Sequence, residues 1–216
     1  MLLFTTVTLG MAYARTAVSP LQETMRLALG LSDNQMALLQ GPALALPMIA
    51  AAVPLGLVID RYSRVRLLLV LVIFNLLGSF LSAIAPNFGM LFAARCVVGL
   101  TTSAAAITVI SLVADLYPPA QRGRAKAVIV VGQYSGLAAA FAFGGALLAV
   151  ISVGPDAWRW VMFWLAVPLL PIALLMFAAR EPTRTGMLMR NPSRRETFHE
   201  LWAYRKIVLQ IGRAHV

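Results

Sequence analysis

Two arginines stand inside long apolar runs, Arg15 in the first and Arg95 in the fourth. A guanidinium is a permanent cation with five fixed donors, able to grip a carboxylate or phosphate bidentately. Placing one near the centre of a membrane-spanning helix costs about 2.5–3.5 kcal/mol on insertion scales. Each is therefore expected to face a watery cavity or a partner, and two on one cavity would draw in an anionic group. Tyr13, Thr102, Gln133 and Tyr134 add hydroxyls and an amide within the runs and are the accompanying candidates for solute contact or coupling. Hydrogen bonding between helices is the other use for each of them, as it is for Gln40, Asn75 and Thr101. The other reading of Arg95 is a tie between its helix and the neighbouring helices.

Other chemistry is thinly supplied. No Asp, Glu or His lies near the centre of any apolar run. A proton carrier must titrate near the working pH, which arginine cannot do, so no central proton relay is expected within these runs. Glu23, near the outer end of the first run, is a candidate only if an outer cavity reaches it. Hydrolysis inside the membrane would need a serine activated by a base, yet both histidines, His199 and His215, fall outside the runs. Cys96 is the single cysteine, and no spacing suits zinc. The expectation is a protein that is not an enzyme and carries neither cofactor nor metal.

The elements that must position these side chains are the runs themselves, near 2–25, 35–59, 67–85, 88–113, 127–151 and 159–179. Each is long enough to cross a bilayer, which takes about 20 residues. Sixty per cent hydrophobic and 12% charged residues lie outside the soluble range. Only helices satisfy their own backbone hydrogen bonds in such segments, so the fold class is an all-α membrane protein with six transmembrane helices in the lipid bilayer. The first run is read as an uncleaved helix. Ala12-Tyr13-Ala14 could be a signal cleavage site, but no basic residue precedes it and five more runs follow.

The formal charge of +10 is placed by connection rather than by surface patch. Arg61, Arg64 and Arg66 follow the second run, Arg122, Arg124 and Lys126 the fourth, and seven more from Arg180 to Lys206 follow the sixth. The odd-numbered connections hold only Arg26 and Arg159. Alternate loops are basic, as the positive-inside rule requires, so both chain ends are expected in the cytoplasm and no nucleic-acid partner is implied. The membrane is read as a bacterial inner membrane.

Local signals mark the turns. Gly30-Leu31-Ser32-Asp33-Asn34 reads as a turn and helix cap. Pro42, Pro47 and Pro54 predict kinks in the second helix. Pro86-Asn87, Tyr117-Pro118-Pro119 and Gly154-Pro155-Asp156 read as stops. Trp158, Trp160 and Trp164 sit where an aromatic belt is expected. Gly132, Gly136, Gly144 and Gly145 let the fifth helix approach a neighbour closely, for packing or as a rocking surface.

Four motifs carry a resemblance. Gly56-Leu57-Val58-Ile59-Asp60-Arg61-Tyr62-Ser63-Arg64-Val65-Arg66 lies between the second and third runs. It resembles the Gly-x-x-x-Asp-Arg/Lys-x-Gly-Arg/Lys-Arg/Lys loop of major facilitator superfamily transporters, with Ser63 at the usual glycine and Val65 at a usual basic residue. Arg95…Gly99, the segment from Asp115 through Pro118 to Arg122-Gly123-Arg124-Ala125, and Trp158-Arg159-Trp160 with Phe163-Trp164 are similar to later motifs in the same order. Tyr13-Ala14-Arg15 and Arg95…Gly99 also look like the spinster-like branch, although Ala14 and Thr102 replace its usual acidic residues. The resemblance covers residues 2–206 and implies the amino-terminal half of a major facilitator, six helices as two inverted three-helix repeats. It implies a cytoplasmic gate of Gly56, Asp60, Arg61, Arg64, Asp115 and Arg122, with Asp115 as the opposite charge to the Asp60–Arg61 loop.

The expected organisation is a six-helix transmembrane half at 1–180 and a basic cytoplasmic connector at 181–210, leading to a missing carboxyl-terminal six-helix half. Residues 211–216, Ile-Gly-Arg-Ala-His-Val, are the translation of ATC GGA AGA GCA CAC GTC from a common sequencing-library adapter and are read as adapter read-through. The function implied is secondary active transport of a small organic solute, anionic if both arginines face it, by alternating access. A non-transporting membrane scaffold or sensor of the same fold is the alternative.

Overall fold

The computed structural model describes residues 1–178 apart from 152, 153 and 155, without the side chains of residues 52, 53, 57, 60 and 61. These residues belong to a unit at Met1–Thr183. The expected connector and the adapter-like end lie outside the described residues.

The described residues form helices and no strands. The first run arrives in two pieces, α1 (Leu2–Thr16) and α2 (Gln22–Leu29), joined by a 3-10 turn at Ser19–Leu21. Pro20 sits in that turn and has no N–H to continue the α pattern. Gly30 ends α2 in the left-handed region at φ 62°, where glycine is unstrained. The predicted cap follows: Ser32 accepts from the Gln35 N–H and Gln35 Oε1 accepts from the Ser32 N–H, opening α3 (Asp33–Gln40).

The second run is also divided, at Gly41. Pro42, expected as a kink, instead takes the first position of α4 (Pro42–Arg61), where a missing N–H does no harm. Pro47 and Pro54 do lie inside that helix. The remaining runs are α5 (Arg64–Ile84), α6 (Phe88–Leu116), α7 (Pro119–Ile151) and the pair α8 (Ala157–Ala166) and α9 (Leu169–Phe177). Ser63 and Asn87 cap α5 and α6 by accepting from Arg66 and Met90 N–H groups. Among the described residues four segments are long and apolar enough to cross a membrane: Arg64–Ile84, Phe88–Leu116, Pro119–Ile151 and Ala157–Phe177. The twenty residues of α4 would extend about 30 Å at 1.5 Å per residue.

Lipid tails are as apolar as leucine, so close approach rather than hydrophobic burial holds such helices together. On α7, Gly132 and Gly136 lie four residues apart and so on one helix face, and Gly144 follows eight residues later. A methyl added at Gly132 would sit 2.6 Å from Thr5 Cγ2, one at Gly144 2.5 Å from Pro20 Cγ, and one at Gly136 would overlap the Leu9 carbonyl. This seam packs α7 on α1 and, at Gly144, on the 3-10 turn that follows it. Gly99 of α6 performs the same service against α4, where an added methyl would lie 2.5 Å from Leu44 Cα. Gly145 meets nothing within 4 Å and takes no part.

Trp160 and Trp164 point outward, as an aromatic belt requires, but Trp158 does not: it is fully buried. Two residues turn a helix by about 200°, so Trp158 and Trp160 must take opposite faces of α8. Arg159 covers the Trp158 ring at 4.4 Å and donates to the Ala83 and Ala85 carbonyls at the end of α5.

Candidate functional site

A cavity of about 710 Å³ opens on the face shared by α1, α4, α6 and α7. Four of the six candidate solute residues line it: Arg15, Thr102, Gln133 and Tyr134. Arg15 is exposed there, and it is the one charged side chain among the described residues of the lining. It stands in the last turn of α1, where the negative end of the helix dipole favours a cation. Thr8, Met48 and Ser103 also line the cavity and had not been singled out. Thr8 is seven residues before Arg15, hence on the same helix face, and Ser103 adjoins Thr102, so spacing alone could have flagged both.

Tyr13 and Arg95 are placed elsewhere. Tyr13, two residues from Arg15, faces the opposite side of α1 and borders a separate apolar cavity of about 260 Å³ with Leu9, Phe143 and Trp164. Arg95 is 2% exposed and does not line the Arg15 cavity. Its Nη2 donates to the Arg15 carbonyl at 2.7 Å. The last four carbonyls of a helix lack intrahelical partners, so Arg95 supplies a donor where α1 needs one. Arg95 Nε has no hydrogen-bond partner among the described residues. Arg95 thus ties α6 to α1, and among the described residues it does not border the Arg15 cavity. The distinction is tertiary, because both arginines read alike in a sequence.

Asn75 and Thr101 also tie helices: Asn75 Nδ2 donates to Thr101 Oγ1 at 2.9 Å between α5 and α6. Gln40 Nε2 donates to Gln22 Oε1 at 2.5 Å and so joins α3 to α2. Glu23 accepts two bonds from Arg26, at 2.7 and 3.0 Å, and borders a third cavity of about 300 Å³, apart from Arg15.

At the turn end of α5 and α6, Arg64 Nη1 donates to Asp115 Oδ2, with side chains only 6% and 14% exposed. Arg122 donates to the Ala114 and Tyr117 carbonyls at 2.7 and 3.0 Å and closes the end of α6. Arg64 is thus one partner of Asp115 among the described residues. Asp60 and Arg61 end α4, and their side chains lie outside the described residues. Gly56 lies inside α4, and a methyl added there meets nothing within 4 Å.

The family model described as Major Facilitator Superfamily matches residues 4–209. The chain belongs to that superfamily. It has membrane-spanning helices and, like the superfamily, is integral to the membrane. Within the superfamily, the lincomycin resistance protein LmrB of Bacillus subtilis (strain 168) is 33% identical over 103 residues, 48% of this chain and 20% of that protein. The quinolone resistance protein NorB of Staphylococcus aureus (strain bovine RF122 / ET3-1) is 27% identical over 139 residues, 64% of this chain and 29% of that one. A bacterial homologue of the human lysosomal transporter Spinster, inward-facing and occupied, superposes with a TM-score of 0.78 at 26% identity over 85% of this chain and 44% of its own. The proton:xylose symporter XylE, at 17% identity and a TM-score of 0.67, shares the fold. The chain thus spans less than half of each solved superfamily chain named here and under a third of the two resistance proteins.

Proposed function

We propose that this chain is the amino-terminal six-helix half of a secondary transporter, carrying a small organic solute with an anionic group by alternating access. The observation that carries the reading is the Arg15 cavity, with one exposed cation ringed by Thr102, Gln133 and Tyr134. A permanent charge on a membrane helix is expensive to keep, and a cavity that receives an anion gives it a use. Spinster's bacterial homologue and XylE are transporters by name, and LmrB and NorB are resistance proteins. A carboxyl-terminal half would supply the opposite wall, where Tyr134 and Val131 now stand exposed. Both ends of the chain face the cytoplasm of a bacterial inner membrane, on the alternation of basic loops. Arg64, Asp115, Arg122, Asp60 and Arg61 form the cytoplasmic gate. Charged helix ends can hold that side shut and separate as it opens, biasing two states by a few kcal/mol.

The test is uptake into proteoliposomes by the full-length protein, with a panel of radiolabelled carboxylates, organophosphates, sugars and amines. Accumulation of an anionic member, absent from empty liposomes, supports the reading. Uptake confined to neutral or cationic members removes the anionic assignment.

A further inference from the structure

One polar group of the Arg15 cavity is oriented from behind its wall. Asn75, on α5, is fully buried and does not line the cavity. Its Nδ2 donates to Thr101 Oγ1 at 2.9 Å and Thr102 Oγ1 at 3.1 Å, and lies 3.4 Å from the Val98 carbonyl. That carbonyl can only accept, which makes this end of the amide the nitrogen. Thr101 sends its own proton to the Val97 carbonyl at 2.7 Å. Thr102 directs its proton to the Met11 carbonyl of α1 at 3.4 Å. A hydroxyl has one proton and two lone pairs. With the proton turned to α1 and one lone pair filled by Asn75, Thr102 keeps one lone pair, and Thr102 is the member of the group that lines the cavity.

We infer that Asn75 is a positioning residue that holds Thr102 as a hydrogen-bond acceptor in the solute cavity. The cavity then takes a solute bearing a donor, a hydroxyl or an ammonium, beside the anionic group that Arg15 meets. This rests on the reading of the cavity as a solute site. Met11 and Arg15 are four residues apart, about 6 Å along α1, so acceptor and cation lie within the span of one small solute. Asn75 Oδ1 has no partner among the described residues. An unpaired buried acceptor is costly, and leucine would fill the space without that cost. Packing alone therefore does not explain the amide.

A thiol titration reads the contact without any solute. In the chain carrying Cys96→Ala, Thr102→Cys places sulfur where Asn75 donates, and a donor to sulfur favours the thiolate. The rate of labelling by a methanethiosulfonate reagent is measured against pH with Asn75 and with Asn75→Leu, or Asn75→Ala if leucine prevents folding. Ser103→Cys, lining the same cavity, is the control, and Arg15 and Arg95 are common to every variant. Loss of Asn75 is expected to raise the Thr102→Cys midpoint by about one pH unit, tenfold in thiolate, and to leave Ser103→Cys in place. An unmoved Thr102→Cys midpoint, or equal movement of both, overturns the assignment. The transport screen can fail without touching this result, so the two claims are separable.

Discussion

Arg95 Nη2 donates to the main-chain carbonyl of Arg15 at 2.7 Å, so one membrane arginine holds the backbone that carries the other. A hydrogen bond from a charged donor contributes about 1.5–3 kcal/mol. Arg95→Met should lower the unfolding midpoint of the purified protein in detergent. It should also loosen α1 near its break, read as faster hydrogen exchange at residues 12–17. An unchanged midpoint and unchanged exchange would mean that packing alone sets the end of α1.

The α1–α7 seam brings backbone against backbone. A side chain at Gly136 would collide with the Leu9 carbonyl and lie 3.1 Å from the Tyr13 nitrogen, both backbone atoms that cannot swing away. Gly136→Val should therefore abolish the monodisperse peak in fluorescence-detected size exclusion, since overpacking typically costs about 1–3 kcal/mol or more. Gly145→Ala, facing open space, should leave the peak intact. Equal behaviour of the two variants would show that the seam is not a close contact.

Arg64 and Asp115 are both largely buried, and removing one partner of such a pair costs about 3–5 kcal/mol. Asp115→Asn should destabilise the protein more than the exposed Asp33→Asn, compared by thermal melting in detergent. If the pair belongs to a gate, Asp115→Asn in the full-length transporter should also change the rate of uptake while leaving solute affinity within a few-fold. Lost affinity with an unchanged maximal rate would place Asp115 in binding instead.

Orientation is testable by side. With Cys96→Ala as background, Asn34→Cys should label with an impermeant maleimide from outside intact cells. Gly186→Cys should label only after permeabilisation. Labelling of both from outside would reverse the proposed placement of the carboxyl-terminal segment.

Much of the fold was legible because apolar length and turn chemistry are local. The stops at Pro86-Asn87 and Tyr117-Pro118-Pro119 coincide with the ends of α5 and α6, and the Ser32 cap forms as read. The breaks at 17–21 and Gly41 were less legible, because apolar composition continues through them while Pro20 and Gly41 interrupt the backbone. The site divides the same way. Angular spacing separates Tyr13 from Arg15 without any structure, whereas the different fates of Arg15 and Arg95 depend on which helix lies opposite each guanidinium.

Transport by Arg15→Ala tests the central claim most directly. Arg15 is the charged group on the described cavity wall, so the initial rate of anion uptake in proteoliposomes should fall at least tenfold at equal protein density, about 1.4 kcal/mol of lost interaction. Arg15→Lys, which keeps the charge but loses the planar fork, should fall between the two. An Arg15→Ala protein that takes up the same anion at the normal rate, with its preference for anions intact, would contradict the account.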